Sequence, residues 1–242
     1  MRFREAKPAS ALRLFCFPYA GGGPGDFRDW SLDCPEDVEL FALQLPGRGA
    51  RFNEPLIARM DQLIETISDV IASQLDRPFV FFGHSMGGRI AFALAQKLKA
   101  LGRPQPELLA VSASRAPGRP GQNAARLTDA AFRQYLQELG GIPPDLLNDE
   151  ELMELMLPVL RADFQLNDSL NPAPIPLDCP ILAWGGDSDR EVTEEDLFAW
   201  RNFTNSAFEV KLFPGGHFFL RAHRQALINS LLEPLAATRL RP

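Results

Sequence analysis

Six short apolar runs rich in aromatic and β-branched residues punctuate the chain at 12–17 (LRLFCF), 38–43 (VELFAL), 79–82 (FVFF), 108–112 (LLAVS), 181–184 (ILAW) and 207–213 (AFEVKLF). Runs this short and this continuous read as strands buried on both faces. Between several of them lie helical patterns, at about 60–75, 86–101, 193–203 and 223–235. Strand–helix alternation of this kind predicts an α/β fold, with a mostly parallel central sheet covered by helices on both faces. At 242 residues the chain fits one domain, or one domain carrying an insertion.

The alternation breaks once. Residues 116 to about 176 hold no strand pattern but do hold helical patterns near 128–139 and 149–168, bounded by the proline-rich stretches APGRPGQNAA and NPAPIPLDCP. Proline ends helices and redirects the chain, so this stretch is expected to be a helical insertion in a single domain spanning 1–242. Its position between two sheet strands makes it a candidate lid, or else an ordinary helical subdomain.

Composition excludes several classes of function. The net charge of −6 argues against wholesale binding to nucleic acid or to an anionic membrane, both of which need a cationic face. No window approaches the roughly 18 apolar residues of a membrane span, and MRFREAKPAS has no apolar stretch resembling a signal peptide behind it. A soluble, cytoplasmic protein is expected. Cys16, Cys34 and Cys179 match no metal-ligand or CxxC spacing and read as buried structural thiols.

The chemistry concentrates at Gly83-His84-Ser85-Met86-Gly87, which fits G-x-S-x-G. A strand pattern precedes it, and an amphipathic helix follows with Ile90, Leu94, Leu98 and Leu101 on one face. A sharp strand-to-helix turn strains the serine backbone and crowds its neighbours, so the positions two before and two after must be small. Alone, the pentapeptide is a weak signal and reads by default as a serine helix cap. A nucleophile at Ser85 further predicts an acid and then a histidine, each after a later strand.

Of the three histidines, His84 flanks the serine and is expected to point away from it, and His223 begins a helix among polar neighbours. His217, behind two glycines after the last strand, is the candidate base. Asp189, beyond the glycine turn of ILAWGGDSDREV, is the candidate acid; Asp187 is expected to make a local turn bond, and the two roles are exchangeable. For an oxyanion, the backbone N–H of Met86 at a helix start supplies one donor. The glycine-rich loop CFPYAGGGPGDF supplies the other, from Ala20 or, failing that, Tyr19. That loop lacks the G-K-[ST] of a phosphate-binding loop.

These residues resemble the type II thioesterases, α/β-hydrolases that serve nonribosomal peptide and polyketide synthases. The resemblance spans nearly the whole chain through CFPYAGGG, LPGRGAR, FFGHSMGG, LGGIPPDLL, LMLPVLRADFQL, WGGDSD and PGGHFFL, in the family's order. It departs at VSASRAP, where the family more often has a glycine and arginines. It implies hydrolysis of aberrant or stalled acyl groups from the phosphopantetheine arm of carrier-protein domains, with no cofactor of the enzyme's own. Ser85, Asp189 and His217 fall on the family's triad positions, and Ala20 and Met86 on its oxyanion positions. The Leu, Met and Phe side chains of 146–166 are expected to line an acyl chamber. Carrier proteins in such systems are usually acidic, and the arginines Arg115, Arg119 and Arg161 are candidates to meet them, although any one is more simply a surface charge. Rival readings with the same site are a carboxylesterase or lipase-like hydrolase of free esters and an acyltransferase; a third is a binding module that keeps the fold without catalysis.

Overall fold

The computed structural model describes residues 10–119, 123–170 and 175–239. The charged start, and parts of both proline-rich stretches that bound the expected insertion, lie outside them.

Six strands form one sheet: β1 (Leu12–Phe17), β2 (Val38–Ala42), β3 (Phe79–His84), β4 (Leu108–Ser112), β5 (Ile181–Gly186) and β6 (Phe208–Phe213), in the order β2-β1-β3-β4-β5-β6. All five pairings are parallel, with Leu12 opposite Val38, Arg13 opposite Phe79 and Ile181 opposite Phe208. Parallel strands need crossovers, which are supplied by α1 (Arg28–Asp33), α2 (Met60–Ala72), α3 (Met86–Ala100) and α7 (Glu194–Phe198), with α8 (Arg224–Arg239) closing the chain. The order reverses between β1 and β3, the point at which the carboxyl ends of such a sheet open into a crevice.

Side-chain alternation along each strand divides the core into two layers. On one face Phe15, Phe17, Phe79, Phe81, Leu109 and Val111 pack with α2, α3 and Trp200. On the other, Leu12, Leu14, Val80, Phe82, Ala110 and Trp184 pack with Trp30 of α1 and Leu227, Ile228 and Leu231 of α8.

Between β4 and β5 the described residues form no strand of the sheet but three α-helices, α4 (Asp129–Leu139), α5 (Pro144–Leu147) and α6 (Glu150–Asp168), within the stretch read as an insertion. Thr128 and Asp149 cap α4 and α6 by accepting from the N–H groups of Ala131 and Leu152, and Gly140 ends α4 at φ 80°. The insertion has a small core of its own, built on Phe132, Leu136, Met153, Leu157 and Leu160. The 193–203 pattern resolves into α7 followed by a 3-10 turn over Ala199–Phe203. Helix α1 lies where only a glycine- and proline-rich loop and its sequel were legible.

Candidate active site

Strand β3 runs into α3 through a single residue, Ser85, whose φ of 54° and ψ of −118° are forced on a non-glycine side chain. The turn is tight enough that a Cβ on Gly83 would lie 2.2 Å from the carbonyl oxygen of Gly87, and one on Gly87 would lie 2.0 Å from that of Phe17. Both glycines are therefore steric requirements. The Ser85 N–H donates to the Ser112 carbonyl at 2.7 Å, while its hydroxyl caps nothing on α3. The cap reading of this serine is thereby excluded.

The hydroxyl meets His217, whose Nε2 lies 3.0 Å from Ser85 Oγ. His217 follows β6 on a loop turned by Gly215 at φ 122°, and its Nδ1 lies 2.8 Å from Asp189 Oδ2. A carboxylate only accepts, so Nδ1 carries the proton and Nε2 is left to accept from the serine. Asp189, with a fully buried side chain, takes the backbone N–H groups of Glu191 and Val192 on its other oxygen at 2.8 and 3.2 Å. Asp187 accepts instead from the Gly215 N–H and the Ser188 hydroxyl, tying the acid loop to the histidine loop as a turn residue.

His84 takes no part in this relay, yet it is not remote from it. Its fully buried ring lies 5.5 Å from that of His217, and its Nδ1 lies 2.9 Å from Ser112 Oγ. Burial above all pushes its pKa well below 6.5, and the positive charge of Arg221 acts in the same direction. His223, at the start of α8, sits 2.8 Å from the Pro214 carbonyl through Nε2.

Ala20, Met86, Ser85 and His217 line one cavity of about 240 Å³, with Tyr19 also on its wall. Neither the Ala20 nor the Met86 N–H donates to a protein acceptor among the described residues. The Tyr19 hydroxyl donates to Asp26 at 2.5 Å, and burial with that carboxylate raises its pKa to about 12. Gly21, the residue after Ala20, donates its N–H at 2.7 Å to Asp163 of α6, which also takes both Nη groups of Arg48. This Arg48–Asp163–Gly21 clamp, with Asp163 almost fully buried, was not foreseen. The signal available was a carboxylate on the apolar face of α6, between Leu160 and Leu166.

From the insertion, Leu146, Met156, Leu160 and Phe164 line the cavity, as expected of the 146–166 stretch. The three arginines considered for a partner are all held internally: Arg115 by Glu191, Arg119 by Glu195 and Asp196, and Arg161 by Asp129 and the Ala125 carbonyl. The three cysteines are buried, and burial raises the Cys179 thiol to about 12 and the Cys16 thiol well above its ordinary value. Among the described residues no helix is long and apolar enough to cross a membrane.

A strained serine between a central parallel strand and the following helix defines the class, an α/β-hydrolase of the serine type. Comparison with known proteins narrows it: the thioesterase-domain family matches residues 12–234, and the chain belongs to that family. It is 40% identical over 230 residues to the gramicidin S biosynthesis protein GrsT of Aneurinibacillus migulanus, a match covering 94% of this chain and 90% of that protein. The solved structure of RedJ, a thioesterase from the prodiginine pathway of Streptomyces coelicolor, superposes with a TM-score of 0.86 at 37% identity, covering 94% of this chain and 95% of that one. The type II thioesterase BorB of the borrelidin cluster gives a TM-score of 0.86 at 33% identity over 96% of each chain. The resemblance read from the sequence motifs is borne out, and the protein is a thioester hydrolase.

Proposed function

We propose that this enzyme removes aberrant or stalled acyl groups from the phosphopantetheine arm of carrier-protein domains, serving a nonribosomal peptide or polyketide synthase in the cytoplasm. The observation that carries the chemistry is the unbroken relay from Ser85 through His217 to Asp189, at 3.0 and 2.8 Å, on the wall of a cavity. Both distances lie within proton-transfer reach.

Ser85 Oγ attacks the thioester carbonyl while His217 Nε2 takes its proton, and Asp189 holds the imidazole tautomer and stabilises its cation. Negative charge on the carbonyl oxygen is met by the N–H groups of Met86, at the positive end of α3, and of Ala20. Collapse breaks the carbon–sulfur bond, and the departing phosphopantetheine thiolate takes the proton back from His217, leaving as the free thiol with His217 neutral again. With a thiol pKa near about 8.5 it leaves far more readily than an alkoxide, so the geometry of the oxyanion donors matters more than acid assistance. Water, activated by His217, then releases the acid and restores Ser85. The enzyme needs no cofactor of its own in this scheme, because the arm belongs to the carrier. Residues 116–176 act as a lid on a single domain, admitting the arm and covering the acyl chain.

The test is turnover of an acyl-loaded carrier protein, followed by intact mass, against a matched oxygen ester. The free thiol should reappear with wild type, with a fluorophosphonate labelling Ser85, and Ser85→Ala should lose roughly 10⁴-fold or more in kcat. A preference for the oxygen ester would make the enzyme a carboxylesterase; conjugates with an added alcohol or amine would make it an acyltransferase. Full function in Ser85→Ala would leave only a binding module.

A further inference from the structure

The cavity is not apolar throughout. Besides the leucine, methionine and phenylalanine side chains of the insertion, it is lined by Arg89 of α3, Ser114 just after β4, and Asn167 and Asp168 at the end of α6. Arg89 is only 5% exposed, yet its guanidinium donates no hydrogen bond and joins no ion pair among the described residues, and its Nε is buried without a partner. Ser114 Oγ and Asn167 Oδ1 are likewise buried without partners. Native proteins leave few such groups, because each forfeits its hydration for nothing in return. Here three, from three separate elements, converge on one cavity.

The charge of Arg89 persists at neutral pH. Burial lowers its pKa to about 10, Asp168 acts in the opposite direction, and Arg115 adds to the lowering. Arg89 is the fourth residue of α3, one helical turn beyond Ser85, which places it about 6 Å further along the helix axis. A substituent within a few carbons of the scissile carbonyl therefore falls within its reach.

We propose that Arg89 is a specificity-determining residue whose guanidinium, in the cavity that Ser114 and Asn167 also line, binds an acceptor oxygen carried on a short acyl chain. The enzyme then prefers acyl thioesters bearing a carboxylate or keto oxygen over plain alkyl ones of the same length. This rests on reading the cavity as the acyl chamber of a thioesterase.

The experiment compares pentanoyl, 4-oxopentanoyl and 4-carboxybutanoyl pantetheine thioesters, each kcat/KM divided by the uncatalysed hydrolysis rate. Wild type should favour the oxygenated chains by about 10- to 100-fold, the range expected for a desolvated charge-assisted hydrogen bond. In Arg89→Met that ratio should collapse towards one; in Arg89→Lys, which keeps charge but not the fork, part of it should survive for the carboxylate. Equal kcat/KM for all three chains in wild type would overturn the inference and leave the thioesterase reading standing. So would a ratio that persists in a folded Arg89→Met. If that variant does not fold, the wild-type ratios and Arg89→Lys decide. Failure of wild type to hydrolyse any thioester would overturn the reading beneath it.

Discussion

Asp163 joins the insertion to the loop that carries Ala20, and removing its carboxylate tests whether that joint positions the site. Asp163 is 1% exposed and Arg48 13% exposed at the side chain, so Asp163→Ala strands a mostly buried guanidinium and the Gly21 N–H together. Breaking one side of a buried ion pair costs about 3–5 kcal/mol, a large part of the 5–15 kcal/mol that holds a typical domain together. At about 2–4 °C per kcal/mol for a chain of this size, the thermal midpoint should fall by about 6–20 °C. Activity should fall independently. Gly21 adjoins Ala20, and its backbone is seated so closely on α6 that an added Cβ would lie 2.7 Å from Leu160 Cδ2. Loss of a well-placed oxyanion donor is worth about 10²–10³ in kcat, which bounds the effect from above. The double variant Arg48→Met/Asp163→Leu separates the two consequences: replacing a whole buried pair by apolar groups is often neutral, so the midpoint should largely return. The Gly21 N–H still lacks its acceptor, so kcat should not. Thermal melts by circular dichroism and kcat on one acyl thioester read both. A single variant melting within about 2 °C of wild type, or a double variant that recovers both quantities, would refute the reasoning.

Two further outcomes follow from the geometry. His84 is held neutral by burial, and its pKa lies well below 6.5; the unfolded chain takes up a proton near pH 6.5 where the folded one does not. Stability should therefore fall as pH drops below about 6.5, by up to about 1.4 kcal/mol per pH unit from this residue. Urea titrations between about pH 7 and 5 should show a shallower decline for His84→Phe, and identical slopes would sink the assignment. Gly87→Ala drives a Cβ to 2.0 Å from the Phe17 carbonyl oxygen, whereas Gly25→Ala enters open space. The first should yield insoluble or inactive protein and the second should match wild type in melting and turnover.

Strands β1 to β5 were readable because burial on both faces writes a continuous apolar run, whereas β6, expected to be buried likewise, stands at the sheet edge with Glu209, Lys211 and Leu212 exposed and only Phe213 fully buried. The far ends of β3 and β5 were not, since β3 continues through Gly83 and His84 and β5 through Gly185 and Gly186, where backbone pairing with Ser112 and Phe213 sustains the ladder without apolar side chains. Helix α1 was hidden behind the glycines and proline that precede it, and the four-residue α5 behind Pro143 and Pro144. The order of Ser85, Asp189 and His217 was legible because each follows a strand. Choosing between Asp189 and Asp187 took the distances, as both stand in the same turn. The Arg48–Asp163 pair, 115 residues apart, was out of reach of any local pattern. Periodicity names the face a residue occupies but not what lies opposite, and that depends on how the insertion docks on the sheet. A conflict was still visible in two places: Asp163 and Arg89 are charges on otherwise apolar helix faces. Foldable sequences avoid such conflicts except where something is gained. The structure gathers them with two strained backbones, Ser85 and Ala113 at φ 54° and 46°, beyond the carboxyl ends of β3 and β4. Ser85, Ala113 and Arg89 line the cavity itself, and Asp163 holds the loop that borders it. Local rules are thus broken at the crevice where a parallel sheet reverses its strand order, the place where binding a substrate can repay strain and unpaired charge.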